Sequence, residues 1–455
     1  MPTSNVVPPD IYANEKKRLT DTTAPRTEVA RETVNPTLRV IPDPTGQLIL
    51  SYKNTNGDGV IRPANAGELA ALKICVEEID IWQVARESGK NIAEIDHILN
   101  QARYNELLLL PKPLIARPAE WFPDNGSEVF RTPAVFTLQW HITQACDLHC
   151  RHCYDRSARK QVARDDGEKI LQSFRRFCDR HHLRGQVSLS GGNPLLHPDF
   201  YHLYKYAAEL GLGTAILGNP CSREELGRIK SITPPLFYQI SLEGLETAND
   251  LIRGLGHFRR ALAFLDLLSK EEIYSMVMLT LHRENQDELL PLARELEGRC
   301  NLFTFNRLAQ TGEGQSLSGV DPEGFQDLFS QYMELSGRME HLALKDNYFN
   351  IIKERRGEEL FGGCTGFGCG AAFNFISLLP DGEVHACRKF PSKIGDINES
   401  DLDTIYHSKE AMAYRQGPAD CADCKIRPVC RGCLAVAHGC GHDPFKKHDP
   451  YCFRS

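Results

Sequence analysis

The chain has 455 residues, 41% of them hydrophobic and 25% charged, a length that predicts about three domains. With 53 basic against 60 acidic side chains the net charge is −7, which excludes the basic excess of a dedicated nucleic-acid binder. Met1 to Lys17 holds no apolar core of signal-peptide length and no run approaches the roughly 18 apolar residues that span a bilayer, so the sequence predicts a cytoplasmic protein with no membrane partner.

Seven of the 26 prolines fall in residues 1–45 with little apolar periodicity, and residues 1–37 read as a flexible leader. From Leu38 to Lys53 two apolar runs flank Pro42, Pro44 and Gly46 and predict two strands, followed by a Gly/Asn/Asp turn over Asn54 to Gly59. Helical periodicity follows near Ala66 to Cys75, Ile81 to Ser88 and Ile92 to Tyr104, the last with Asn91 as N-cap. Residues 38–125 therefore read as a small winged-helix-like module. Its acidic Glu77, Glu78 and Asp80 argue against DNA as the partner. Prolines 111, 113, 118 and 123 predict a linker with a domain boundary near residue 125.

Strand and helix then alternate. Strands are predicted near Val135 to His141, Gln186 to Ser190, Gly213 to Leu217, Leu236 to Leu242, Tyr274 to Leu281 and Leu302 to Phe305. Amphipathic helices include Gly167 to His181, Phe200 to Leu210, His257 to Ser269 and Gln286 to Glu297. Six alternations over residues 134–330 predict an α/β fold, a parallel sheet curled into a partial (β/α)6 barrel, with its reactive face at the carboxyl ends of the strands. His181 and His182 read as a solvated helix cap.

Sixteen cysteines in a reducing compartment point to metal or redox chemistry rather than disulfides. Cys146-x3-Cys150-x2-Cys153 follows the first barrel strand. Three thiolates on so tight a loop can hold three irons of a 4Fe-4S cluster and leave the fourth open, whereas structural zinc takes four ligands. Nine further cysteines lie in residues 331–455: Cys364, Cys369, Cys387, Cys421, Cys424, Cys430, Cys433, Cys440 and Cys452. With turn signals such as Leu379-Pro-Asp-Gly-Glu383 they can supply two four-cysteine sites, for clusters or for structural zinc. Cys75, Cys178 and Cys300 read as small core residues, and Cys221, at a strand mouth, as structural.

The Cys146, Cys150, Cys153 motif at the end of a first barrel strand resembles that of radical S-adenosylmethionine (radical SAM) enzymes. In that family the cofactor's amino and carboxylate groups chelate the open iron, and the reduced cluster cleaves it to methionine and a 5'-deoxyadenosyl radical. His152 matches the aromatic position beside adenine. Ser190-Gly191-Gly192-Asn193-Pro194 resembles the Gly-Gly-Glu-Pro motif at the cofactor's amine, with Asn193 replacing the glutamate and removing its charge. Asn219, Ser241 and Arg253 match positions near the cofactor, the last two at its ribose and carboxylate. The C-terminal order resembles a SPASM domain. By that resemblance Cys364, Cys369, Cys387 and Cys433 hold one auxiliary 4Fe-4S cluster, and Cys421, Cys424, Cys430 and Cys452 the other, with Cys440 spare. Cys430 and Cys433 are separated by two residues where that family usually has three.

The resemblance implies S-adenosyl-L-methionine and three 4Fe-4S clusters as cofactors, and flavodoxin or ferredoxin as electron donor. It assigns no catalytic side chain beyond the cluster. It implies a peptide maturase acting on a ribosomally made precursor peptide, with residues 38–125 as a recognition module that adds the leader as a strand. A sulfatase-maturase-like enzyme acting on a protein, or a non-catalytic iron-sulfur sensor, is the alternative.

Overall fold

The computed structural model describes residues 33–109, 111–122 and 125–454. At the N-terminus β2 (Arg39–Pro42), β3 (Leu48–Lys53) and β4 (Gly59–Pro63) form an antiparallel meander, and β1 (Thr33–Val34) pairs with β5 (Leu108–Leu109). Three helices follow the meander: α1 (Ala66–Val76), α2 (Ile81–Ser88) and α3 (Ile92–Tyr104). Strand alternation sends Leu50 and Tyr52 inward onto Leu72, Ile95 and Leu99. Asn65 with Glu68 and Asn91 with Glu94 close capping boxes, each worth about 1 kcal/mol.

Two expectations change here. Strand β4 continues straight from the predicted turn and went unread. Residues 33–37 are not leader but part of the module, since buried Asn35 donates through Nδ2 to the carbonyls of Lys53 (3.0 Å) and Glu106 (2.9 Å). Residues 1–32 of the expected leader lie outside the described residues.

The proline-rich segment is not a free tether. Arg117 is buried and donates to the carbonyls of Pro428 (2.6 Å) and Cys369 (3.0 Å), pinning the segment to the C-terminal region.

Six strands then run parallel and in chain order: β6 (Val135–Thr143), β7 (Arg184–Gly191), β8 (Gly213–Leu217), β9 (Tyr238–Ser241), β10 (Ser275–Leu281) and β11 (Leu302–Arg307). Their near-continuous apolar runs suit a sheet covered on both faces. Crossover helices are α4 (Arg164–Arg180), α5 (Phe200–Glu209), α6 (Arg223–Ile232), α7 (Glu246–Arg253), α8 (His257–Lys270) and α9 (Leu289–Glu295). The sheet stays open. Beyond α10 (Phe325–Ser336) and α11 (Phe349–Arg355), strand β12 (Phe375–Leu378) pairs parallel with β6, and β13 (Glu383–His385) and β14 (Lys393–Asp396) extend that edge, making nine strands. Helix α10 runs through the boundary expected between residues 330 and 331.

Short helices α12 (Leu402–Tyr406), α13 (Lys409–Gln416) and α14 (Leu434–Gly439) complete the chain. His181, expected to be solvated, is 8% exposed, and its Nε2 lies 2.6 Å from Asp403 Oδ1, tying the end of α4 to α12. Among the described residues no helix is long and apolar enough to cross a membrane.

Candidate functional site

Strand β6 delivers the cysteine loop to the carboxyl end of the sheet. Gly191, at φ +143°, and Gly192 are required because a Cβ at either would stand 2.1 Å from Thr143 O or 2.2 Å from Ala145 O. Gly192 N and Asn193 N donate to those carbonyls at 2.9 and 2.7 Å. The glycine pair thus clamps the start of the cysteine loop onto the end of β7.

Cys146, Cys150 and Cys153 are half-buried and free of disulfides. Burial pushes the Cys146 and Cys150 thiols up, and the Arg253 guanidinium, with Nη1 3.7 Å from Cys150 Sγ, opposes this at Cys150. Desolvated thiols of this kind are relieved of their cost when a metal takes them as thiolates.

Around the loop stand the other residues singled out from the sequence. Asn193 accepts from Leu195 N (3.3 Å) at the start of the Pro194–Leu196 turn and donates through Nδ2 to Asp147 Oδ1 (3.0 Å). Asn219 donates to the same oxygen at 2.6 Å and points the same nitrogen at Cys146 Sγ, 3.8 Å away. Ser241 ends β9, half-buried.

Two acidic residues were missed from sequence. Glu243, fully buried, lies 2.8 Å from His152 Nε2 through Oε1, which also accepts from Arg253 Nε (2.9 Å) and Nη2 (2.5 Å), while Oε2 accepts from Thr280 N (2.8 Å). Burial alone would push this carboxyl up, but His152 and Arg253 hold it well below the usual carboxylate range. Glu243 therefore fixes His152 within the cysteine loop and Arg253 beside it. A carboxylate two residues past Ser241 at a strand mouth was the available signal. Asp147, inside the cysteine motif itself, is the second.

In the C-terminal region Cys364, Cys369, Cys387 and Cys433 line one cavity of about 60 Å³, with Lys345 and Lys389 in its wall. Burial pushes Cys387 up to about 12 and Cys433 up to about 11. Lys345 donates to Asn306 Oδ1 at 2.7 Å; burial pushes its ammonium down while the facing thiols push it up. Four thiols around one void, with Lys345, Lys389 and the Asp346-paired Arg307 in its wall, suit an anionic iron-sulfur cluster, the lysines offsetting its charge.

Cys421, Cys424, Cys430 and Cys452 form a second group. Burial pushes Cys421 up to about 12, with Cys424 and Cys452 adding to the shift. Arg454 Nη1 lies 2.8 Å from Cys424 Sγ. Cys440 is exposed and its Sγ sits beside Gln310 Oε1 (3.9 Å). Cys178 is buried in the core, and half-buried Cys221 is pushed up to about 12 by burial, the state of an unreactive thiol.

Open parallel sheet, cysteine loop at its carboxyl end and thiol-lined cavity define an iron-sulfur radical enzyme, and comparison with known proteins agrees. Residues 140–296 match the radical SAM superfamily, and residues 369–434 match the SPASM iron-sulfur cluster-binding domain. The chain thus carries a radical SAM domain followed by a SPASM domain.

The AdoMet-dependent heme synthase of Methanosarcina barkeri is 26% identical over 351 residues, covering 70% of this chain and 97% of that protein. The antilisterial bacteriocin subtilosin biosynthesis protein AlbA of Bacillus subtilis is 25% identical over 327 residues, 68% of this chain and 69% of that one. The crystal structure of Streptococcus suis SuiB bound to precursor peptide SuiA superposes with a TM-score of 0.57 at 17% identity, covering 93% of this chain and 100% of that chain.

Proposed function

We propose that the chain is a peptide maturase that uses radical SAM chemistry to modify a ribosomally made precursor peptide. The observation that carries the substrate class is the shared fold over 93% of the chain with a protein crystallised on its precursor peptide. The alignment to the heme synthase, by contrast, leaves roughly 30% of this chain without a counterpart although it uses 97% of that protein. Residues before the barrel make up a share of that size, and residues 33–109 among them form a folded module.

In this reading Cys146, Cys150 and Cys153 would hold the 4Fe-4S cluster that binds the cofactor. Cys364, Cys369, Cys387 and Cys433 hold one auxiliary cluster; Cys421, Cys424, Cys430 and Cys452 hold the other. When bound, the reduced cluster and S-adenosyl-L-methionine supply a one-electron cleavage that furnishes a carbon radical able to remove a substrate hydrogen. The chain's own residues bind and orient. His152 would flank the adenine, Gly191, Gly192, Asn193, Pro194 and Asn219 would border the methionine end, and Ser241 and Arg253 would serve the ribose and carboxylate. Glu243 keeps His152 and Arg253 in place. A flavodoxin or ferredoxin delivers the electron, and residues 33–109 bind the leader.

The test is anaerobic incubation of the reconstituted, reduced protein with S-adenosylmethionine and a candidate precursor from a neighbouring reading frame. Release of 5'-deoxyadenosine with a mass change in the peptide is expected. No 5'-deoxyadenosine would leave a non-catalytic iron-sulfur protein; cleavage with a modified folded protein but no modified precursor would favour the sulfatase-maturase-like alternative.

A further inference from the structure

The resembled cofactor motif carries a glutamate where this chain has Asn193, so the anionic acceptor near the cofactor's amino group is missing from its usual place. Asn193 does not substitute for it. Its side-chain carbonyl accepts from Leu195 N (3.3 Å), and its amide nitrogen donates to Asp147 (3.0 Å).

Asp147 stands next to Cys146 in the cysteine loop and carries the negative charge that Asn193 lacks. Two buried amides hold it: Asn193 from the end of β7 and Asn219 from the end of β8 both donate to Oδ1, at 3.0 and 2.6 Å. Both donors are neutral, and among the described residues no Lys, Arg or His forms an ion pair with Asp147, so its charge is uncompensated. Its Oδ2 accepts no hydrogen bond among the described residues, and the residue is exposed at the carboxyl end of the sheet. A carboxylate fixed through one oxygen, with the other free beside a cysteine of the cluster loop, is built to accept from an N–H. The amino group of S-adenosylmethionine would bring N–H donors to that oxygen, and hydrogen bonds to an ionised acceptor are roughly twice as strong as neutral ones.

We propose that Asp147 is the residue that recognises the amino group of S-adenosylmethionine, the anionic acceptor having moved from the position of Asn193 into the cysteine loop. The proposal rests on the radical SAM reading of the cysteine loop given above. Asn193 and Asn219 then act as positioning residues that aim the carboxylate.

Reconstituted protein of measured iron content is titrated with S-adenosylmethionine, following both equilibrium binding and the change in the electron paramagnetic resonance spectrum of the reduced cluster. Asp147→Asn should weaken binding at least tenfold at unchanged iron content. Asp147→Glu, which keeps the charge, should lose less than Asp147→Asn. The exchange Asp147→Asn with Asn193→Glu, which returns the charge to the other side of the same contact, should recover most of the affinity. A merely structural Asp147 predicts the reverse, since the exchange would disturb both partners. Wild-type affinity in Asp147→Asn, or an exchange variant no better than Asp147→Asn, overturns the proposal. If Asp147→Asn fails to take up iron, the proposal stands or falls on the exchange variant and Asp147→Glu, at least one of which must bind the cofactor more tightly than Asn193→Ala. Wild-type protein that binds no S-adenosylmethionine would overturn the radical SAM reading itself, a result distinguishable from failure of the variants alone.

Discussion

Three thiols on a loop become a usable ligand set only when the loop is held, and here it is held by backbone and by charge. The glycine pair fixes its beginning, and Glu243 fixes its end through His152 and Arg253. In the proposed reading, replacing Cys146, Cys150 and Cys153 together by Ala removes the three thiols that hold the cofactor-binding cluster. Release of 5'-deoxyadenosine, measured by chromatography after reduction, should disappear while the auxiliary-cluster spectra remain. Glu243→Gln is a subtler probe. It keeps a hydrogen-bonding oxygen but leaves the largely buried Arg253 guanidinium without its counter-ion, and breaking a buried pair costs about 3–5 kcal/mol. Chemical denaturation should show a loss of that order, and cofactor cleavage should fall at least tenfold because Arg253 and His152 are no longer locked.

At the scale of elements, the six parallel strands were legible because each is an apolar run bounded by turn residues, with an amphipathic helix between. Strands β12, β13 and β14 were not: they have only four, three and four residues, and their place is decided by the pairing of β12 with β6, more than 200 residues earlier, onto which β13 and β14 add in turn. The cysteines were legible in kind. What spacing could not show is the support behind them. Arg307, at the end of β11, makes a two-point contact with Asp449 (3.0 and 2.7 Å) and reaches Asp346 through Nε (2.7 Å), while Asp449 Oδ2 also accepts from Cys433 N (2.9 Å). This buried strap ties the barrel to the segment that carries Cys433 and Cys452. Asp449→Ala should destabilise the fold by about 3–5 kcal/mol and lower the iron content of the purified protein, read by elemental analysis. For the wild type, the proposed three 4Fe-4S clusters would give about twelve irons per chain; stoichiometric zinc with about four irons would make the C-terminal groups structural.

Over the whole molecule, the N-terminal module docks on the barrel through apolar and charged contacts, Ile92 joining the barrel's core with Ile81, Trp82 and Ala85 packed against it. Asp96 of α3 pairs with Arg175 of α4, and Arg176 stacks on the Trp82 ring at 4.5 Å. Arg175 also pairs with Asp179 on its own helix (2.8 Å), so the barrel keeps a partner for that buried cation when the module is absent. The peptide from residue 111 onward anchors independently through Arg117, which marks residue 110 as the place to cut. The module itself has its own apolar core and, Cys75 apart, no thiol, so it contributes nothing to the clusters. Its role in this reading is to hold a leader and thereby raise the local concentration of the attached core peptide at the barrel mouth. Protein beginning at residue 111 should therefore keep its iron content and its precursor-independent release of 5'-deoxyadenosine, yet modify full-length precursor at least tenfold more slowly. A precursor stripped of its leader should be modified equally poorly by both forms, because neither can capture it. Equal turnover of the full precursor by the truncated and intact proteins, at equal iron content, would show that the module does not recognise the leader.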